Sequence, residues 1–261
     1  MADINFRGCS GELNRTPGGY HLSFTDDLEY FLSSKKSKLE GPIFLSGFSL
    51  GACVIVNFLA EAEQSVFGKY NVVGAAVNSC PLDTTVTTDS LNGPENFFSF
   101  NVYGKDLLRK LQYKSKVLAL NSSIDTPFDA EDVDRCETIG DLENTVICPV
   151  YDFHDAEDYY QRSSIAKKLD RVSVPLYVVN SQDDPFLPGD ARPSSSFAKT
   201  SKFLFTNQGG HCGNVLHSGN TSLVKVGDDG RVLQSSWMPN DDGTFYLSRS
   251  RYEIENLISR I

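Results

Sequence analysis

The stretch that decides the fold is Gly47-Phe48-Ser49-Leu50-Gly51, which has the spacing G-x-S-x-G. It stands between a short apolar strand predicted at 42–46 and a largely apolar helix predicted at 50–62. At a sharp strand-to-helix turn a serine hydroxyl projects above the end of the sheet, and the flanking glycines let strand and helix approach closely. The five-residue spacing also occurs by chance in glycine-rich turns, so the apolar strand and helix on either side are what distinguish a nucleophile turn from such a turn. They predict that Ser49 is a nucleophile and that the N–H of Leu50, at the helix start, faces the oxyanion.

A serine hydroxyl needs a base to remove its proton and an acid to orient that base. His211 follows one predicted strand, and Asp183 and Asp184 follow the strand before it. The order Ser, Asp, His, with each residue after a strand, is typical of hydrolases that carry a strand–turn–helix nucleophile. We therefore predict a triad of Ser49, Asp184 and His211. Asp184 is preferred because the spacing Asp-Pro-Phe-Leu-Pro starts there, and Asp183 remains the alternative acid.

Other candidate side chains have a simpler interpretation. The remaining histidines follow no late strand and are interpreted as loop or surface packing residues: His21, His154 and His217. Cys212 is next to the predicted base but has no second partner in the pattern, so it is interpreted as a small packing residue. Four phenylalanines of the middle region are interpreted mainly as core, with a substrate-lining role as the alternative: Phe97, Phe98, Phe100 and Phe128.

The order of the elements predicts an α/β protein. Strands and helices alternate, which indicates a mostly parallel sheet with helices on both faces. The chain of 261 residues is predicted to form one domain, 1–261. Within it, 84–166 breaks the alternation and is predicted to be a cap-like helical insertion, and 219–236 is predicted to be an extra hairpin. Residues 4–6 are predicted to end a strand, and 254–261 to form a short amphipathic helix.

Composition excludes several classes of protein. There are 24 Lys and Arg residues against 34 Asp and Glu, a formal net charge of -10, which disfavours nucleic acid as a partner. No membrane span or signal peptide is visible in the sequence. The six cysteines are scattered without paired ligand spacing, so we expect reduced thiols and no structural zinc site. An intracellular, cytoplasmic protein is expected.

Six strings, in chain order, resemble the YheT-like, abhydrolase-domain branch of the α/β-hydrolases. They are Asn5-Phe6-Arg7-Gly8-Cys9-Ser10-Gly11, Tyr20-His21, Gly47-Phe48-Ser49-Leu50-Gly51, Asp155-Ala156-Glu157-Asp158-Tyr159-Tyr160, Asp183-Asp184-Pro185-Phe186 and Gly209-Gly210-His211. The first string is quite specific, and together they span about 5–213.

The resemblance implies the α/β-hydrolase fold and hydrolysis of carboxylic esters through an acyl-enzyme. The implied substrates are small acyl esters of short or medium chain length, or acylglycerols and related lipids, and no metal or organic cofactor is implied. Some relatives transfer the acyl group to an alcohol, so an alcohol acyltransferase with the same triad is a second hypothesis.

The resemblance also has departures. Family members begin with several strands and a His-Gly loop that supplies a second oxyanion-hole N–H, and the chain as given starts after that section. We expect a longer enzyme of which this is a part, with any membrane anchor in the upstream portion. A non-catalytic binding protein with a hydrolase fold is the third hypothesis.

Overall fold

The computed structural model of the chain describes residues 2–36, 39, 41–62, 68–92, 99–187, 200–213, 223–226 and 231–234. The strands are β1 (Ile43–Phe48), β2 (Val72–Asn78), β3 (Leu176–Ser181), β4 (Ser201–Thr206), β5 (Leu223–Val226) and β6 (Arg231–Gln234). The α-helices are α1 (Asp26–Lys35), α2 (Leu50–Glu61), α3 (Thr84–Asn92), α4 (Lys105–Ala119), α5 (Ala130–Arg135), α6 (Ile139–Leu142), α7 (Cys148–Tyr151) and α8 (Ala156–Ser163). Two π-helical stretches, Ser99–Gly104 and Glu143–Ile147, and a 3₁₀ turn, Leu169–Arg171, complete the description.

Four parallel strands form the main sheet in the order β1-β2-β3-β4. The register places Phe48 opposite Asn78, Asn78 opposite Val179, and Ser181 opposite Thr206. Because parallel strands point the same way, the carboxyl ends of all four lie at one edge of the sheet. The residues that follow these strands are thereby brought to the same edge.

The core lies around the two central strands. Nearly every residue of β2 and β3 is buried, so both faces of these strands are covered. Helix α2 packs against the sheet and is buried from Ala52 to Ala60. In β1 alternate residues are exposed, and Phe44 and Phe48 keep 44% and 45% of their surface accessible. Among the described residues, β1 and β4 each pair on one side, which makes them the edges of this sheet.

The predicted alternation of strands and helices is confirmed, and element ends differ from the predictions by a few residues. The predicted end of a strand at 4–6 is wrong, because the backbone there is irregular. Phe6 instead stacks on Tyr20, with ring centroids 5.0 Å apart and planes 19° apart. The Phe6 side chain is packed by stacking on Tyr20, and its segment does not pair as a strand.

The residues between β2 and β3 are helical and have a core of their own. Its buried members include Leu108, Phe128, Val133 and Leu142. Tyr160 on α8 donates a hydrogen bond to the carboxyl group of Glu143, and burial raises the pKa of Glu143 to about 8. Further on, β5 and β6 pair antiparallel in a separate two-stranded sheet, with Leu223 opposite Gln234. Residues 254–261 lie outside the described residues. In the part of the chain that the structure describes, no helix is both long and apolar enough to cross a membrane.

A buried amide joins three parts of the chain behind the sheet. Asn57, on α2, has no exposed surface and donates hydrogen bonds from Nδ2 to the carbonyl groups of Leu22, at 3.2 Å, and Ser163, at 3.0 Å. Its Oδ1 accepts a hydrogen bond of 2.7 Å from Lys168 Nζ. Lys168 also lies 2.5 Å from Glu61, so its charge is paired. Asn57 thus fixes α2 against the N-terminal segment at Leu22 and against the end of α8 at Ser163.

We predict that Asn57→Ala lowers the free energy of unfolding by about 2–4 kcal/mol, because two carbonyl groups, one of them buried, and a lysine lose a partner. Chemical denaturation measures the change. The control is Asn121→Ala, which removes one local hydrogen bond to Ser123 N–H and should cost less than about 1 kcal/mol. Equal losses in the two variants would contradict this role for Asn57.

Candidate active site

Ser49 occupies a strained turn between β1 and α2. Its backbone angles are φ 53° and ψ -126°, a conformation that costs a non-glycine residue about 1–3 kcal/mol. Two backbone hydrogen bonds hold the turn. Ser49 N–H donates to Asn78 O, on β2, at 3.0 Å, and Ser49 O accepts from Ala52 N–H at 3.0 Å. The strain is thus maintained by a neighbouring strand and by the first turn of α2. The side chain stays half-exposed at the carboxyl edge of the sheet.

The two glycines of the G-x-S-x-G spacing have different roles. A Cβ on Gly47 would lie 2.8 Å from Gly51 O and 2.8 Å from Ile55 Cδ1, closer than atoms can pack. A Cβ on Gly51 would lie 3.8 Å from Phe6 Cζ, which is ordinary contact. Close approach of strand and helix therefore requires Gly47, and the sequence-based expectation that both glycines serve it holds only for the first.

His211 lies between the hydroxyl of Ser49 and the carboxylate of Asp184. Its Nε2 is 2.8 Å from Ser49 Oγ, and its Nδ1 is 2.9 Å from Asp184 Oδ2 and 3.1 Å from Oδ1. With Nδ1–H donating to Asp184, Nε2 is the acceptor for the serine proton. The structure thus brings together the three residues of the predicted triad.

The two candidate acids point in different directions. The Asp184 side chain is fully buried and also accepts the N–H of Phe186 at 2.9 Å. Asp183 is exposed, and its Oδ1 accepts hydrogen bonds from the hydroxyl of Ser181 and from Gly210 N–H, the latter at 2.8 Å. These donors lower the pKa of Asp183. The carboxylate that contacts His211 is that of Asp184.

The surroundings of His211 favour its charged form. Burial lowers its pKa, but hydrogen bonds with Asp184 and the Cys212 thiol and the attraction of Asp184 outweigh that effect and raise the pKa to about 9. The ring of Phe186 lies 4.3 Å from the imidazole, centroid to centroid. An imidazolium that forms when Ser49 loses its proton is therefore well stabilised.

Leu50, the predicted oxyanion donor, is the first residue of α2. The first N–H groups of a helix have no acceptor within the helix, and the helix dipole favours negative charge there. Leu50 N–H thus lies at the positive end of α2, in the residue that follows Ser49. Within the described residues, no cluster of three or more His, Cys, Asp or Glu side chains is arranged to bind a metal ion.

Two of the other histidines, His21 and His154, have contacts outside the triad. His154 is exposed and pairs with Asp155, and His217 lies outside the described residues. His21 is buried, which the sequence did not indicate, and burial lowers its pKa to about 4. Its ring is surrounded by the rings of Phe24, Tyr151, Phe153 and Tyr159. This cluster packs the N-terminal segment against α7 and α8.

Of the four phenylalanines, Phe128 is buried in the core formed by the helices between β2 and β3. It also borders an open cavity of about 540 Å³ whose lining includes Asp132, Arg135 and Asp141 and no triad residue. Phe97 and Phe98 lie outside the described residues, and Phe100 is described only as part of the π-helical stretch Ser99–Gly104.

Comparison with known proteins confirms the resemblance. The chain is 27% identical over 213 residues to Phospholipase ABHD3 of Mus musculus, covering 80% of this chain and 50% of that protein. It is 24% identical over 222 residues to Monoacylglycerol lipase of Saccharomyces cerevisiae, covering 80% and 46%. It is 27% identical over 214 residues to the YheT protein of Escherichia coli, covering 80% and 60%. The chain spans about half the length of the curated relatives it matches. No family model matches it.

The different roles of the two glycines lead to a prediction. Gly47→Ala should lower the free energy of unfolding by more than about 2 kcal/mol, because the new methyl group overlaps α2. Gly51→Ala should be neutral or stabilising by up to about 1 kcal/mol, because alanine is the better helix former. Thermal denaturation of both variants tests this, and a larger loss in Gly51→Ala than in Gly47→Ala would contradict it.

Proposed function

We propose that this chain, an α/β-hydrolase-fold protein similar to the abhydrolase-domain and YheT-like group, is a serine hydrolase of carboxylic esters. The observation that carries the proposal is the continuous hydrogen-bond chain from Ser49 Oγ through His211 to Asp184. Such a chain activates a hydroxyl that is otherwise a weak nucleophile. The names of two relatives, a phospholipase and a monoacylglycerol lipase, support ester substrates.

In the proposed reaction His211 Nε2 takes the proton of Ser49 Oγ as the oxygen attacks the acyl carbonyl carbon. The negative charge that develops on the carbonyl oxygen is stabilised by Leu50 N–H. Asp184 holds the imidazole in the Nδ1–H tautomer and stabilises the imidazolium. His211 then returns the proton to the leaving alcohol, and water, activated by the same base, hydrolyses the acyl-enzyme.

We further propose two classes of substrate: short- or medium-chain acyl esters, which the sequence resemblance implies, and acylglycerols, which the name of the monoacylglycerol lipase supports. Acyl transfer to an alcohol shares the same acyl-enzyme and differs only in the acceptor that replaces water. Product analysis of a reaction with added ethanol or glycerol distinguishes the two: free acid indicates hydrolysis, and a new ester indicates transfer.

The proposal predicts covalent labelling of Ser49 by a fluorophosphonate probe. Ser49→Ala should abolish labelling, and His211→Ala should slow it by about 10³-fold or more, because the hydroxyl loses its base. His154→Ala is the matched control, since its side chain is exposed on α8's N-terminal side and should leave the rate unchanged. Equal labelling of wild type and Ser49→Ala would remove Ser49 from the mechanism, and an unlabelled wild type would favour a binding protein.

The pH dependence of labelling follows from the His211 pKa. Only the neutral imidazole accepts the serine proton, so the rate should rise with pH as His211 deprotonates, with a midpoint near 9. Asp184→Asn removes the carboxylate that raises this pKa. The midpoint should then move to lower pH while the maximal rate falls by about 10³–10⁴-fold. A midpoint that stays in place in Asp184→Asn would contradict the assigned partner.

A further inference from the structure

The loop that carries His211, residues 209–213, has a glycine-rich sequence that does not by itself favour one conformation. Three of its five residues, Gly209, Gly210 and Cys212, have positive φ values of 155°, 54° and 65°. The two ends of the loop approach so closely that a Cβ on Gly213 would lie 2.8 Å from Gly209 O. Glycine-rich backbone loses much conformational entropy when it is fixed, and a left-handed cysteine is itself unfavourable. Contacts from outside the loop must therefore hold His211 in place.

Two such contacts flank the histidine. On one side Gly210 N–H donates to Asp183 Oδ1 at 2.8 Å, and on the other Cys212 N–H donates to Ser79 Oγ at 2.9 Å. The two acceptors follow neighbouring strands, β3 and β2. The backbone on both sides of the imidazole is thereby tied to the carboxyl edge of the sheet.

Both acceptors are themselves fixed. Ser79 is fully buried, has φ 48°, and donates its own N–H to Val179 O at 2.8 Å. Asp183 accepts the hydroxyl of Ser181, the last residue of β3. A left-handed serine after a strand is common in turns, but the hydroxyl oxygen of Ser79 also accepts the N–H of Cys212 in the loop.

We propose that Ser79 and Asp183 are positioning residues for the catalytic base, forming a two-point clamp on the backbone at Gly210 and Cys212. The inference rests on the proposed function of the same site. The clamp sets the distance from His211 Nε2 to Ser49 Oγ, while Asp184 sets the ring orientation. Asp183 thus takes part as an anchor of the loop and not as the triad acid.

The proposal is tested by the variants Ser79→Ala, Asp183→Ala and Asp183→Asn. The first two remove an acceptor, and the third keeps an amide oxygen for Gly210 N–H while removing the charge. Ser164→Ala is the matched control, because it removes a buried serine hydroxyl bonded at 3.2 Å to Leu82 O, away from the triad. Two quantities are measured: the rate constant of fluorophosphonate labelling on its alkaline plateau, where His211 is neutral, and the His211 pKa from an NMR titration of the imidazole.

The clamp predicts that Ser79→Ala and Asp183→Ala slow labelling by about tenfold to a hundredfold, since small displacements of a catalytic group cost this much. The His211 pKa should fall toward its ordinary value of 6.5, because the imidazole no longer holds its place against Asp184. Asp183→Asn and Ser164→Ala should retain both wild-type values.

Wild-type labelling rates and an unchanged His211 pKa in Ser79→Ala and Asp183→Ala would overturn the clamp and leave the proposed function standing. If the wild-type chain is not labelled, the proposed function fails, and the His211 titration alone decides the clamp. If Ser79→Ala does not fold, the pair Asp183→Ala and Asp183→Asn decides, because the Asp183 side chain is exposed.

Discussion

The parallel register of β1 to β4 is the constraint on which the candidate site depends. Phe48 pairs with Asn78 and Ser181 pairs with Thr206, and each is the last residue of its strand, so the residues just beyond them meet at one edge. The end of β2 is the centre of this arrangement. Asn78 O accepts the N–H of Ser49, and the next residue, Ser79, accepts the N–H of Cys212. Asn78 and Ser79, consecutive buried residues at the end of β2, therefore hold the turn at Ser49 and the loop at His211.

Several residues at this edge have unfavourable backbone conformations, and packing of the buried core offsets their free-energy cost. Ser49, Ser79 and Cys212 all have positive φ values without being glycine. Each such residue costs about 1–3 kcal/mol and persists only where the surroundings over-determine it. Here the surroundings are the buried strands β2 and β3 and the apolar helix α2. The helices between β2 and β3 are joined to the rest of the chain through Asn57, which bonds to Ser163 O, and through the rings of Tyr151 and Tyr159 around His21.

Sequence pattern identified the features that depend on neighbours in the chain. The apolar flanks of Ser49 and the position of His211 after a strand follow from local order, and the three triad positions were named from it. The spacing Asp-Pro-Phe-Leu-Pro favours Asp184 over Asp183, but Asp183 stays an alternative in the sequence, because both follow β3 and the turn geometry decides which carboxylate contacts His211. Ser79 gave no signal, since a serine after a strand is typical of turns. The burial of His21 depends on rings more than 100 residues away in the chain, such as Tyr151 and Tyr159.

The strand predicted at 4–6 failed for a related reason. An apolar residue beside a turn motif favours a strand when the sequence is considered alone, but Phe6 is satisfied by stacking on Tyr20 and by lying near Gly51. A single large side chain with two nearby partners is enough to fix an irregular segment. The prediction used the local pattern, whereas the contact joins three separate segments of the chain.

We propose that the sheet edge brings one hydroxyl, one imidazole and one helix N–H to a single reacting carbonyl. A crystal structure of the chain after reaction with a fluorophosphonate tests this arrangement. We expect phosphorus bonded to Ser49 Oγ, a phosphonyl oxygen about 3 Å from Leu50 N, and His211 Nε2 within hydrogen-bond distance of the adduct. An adduct on any other residue, or on Ser49 with His211 turned away from it, would exclude this arrangement.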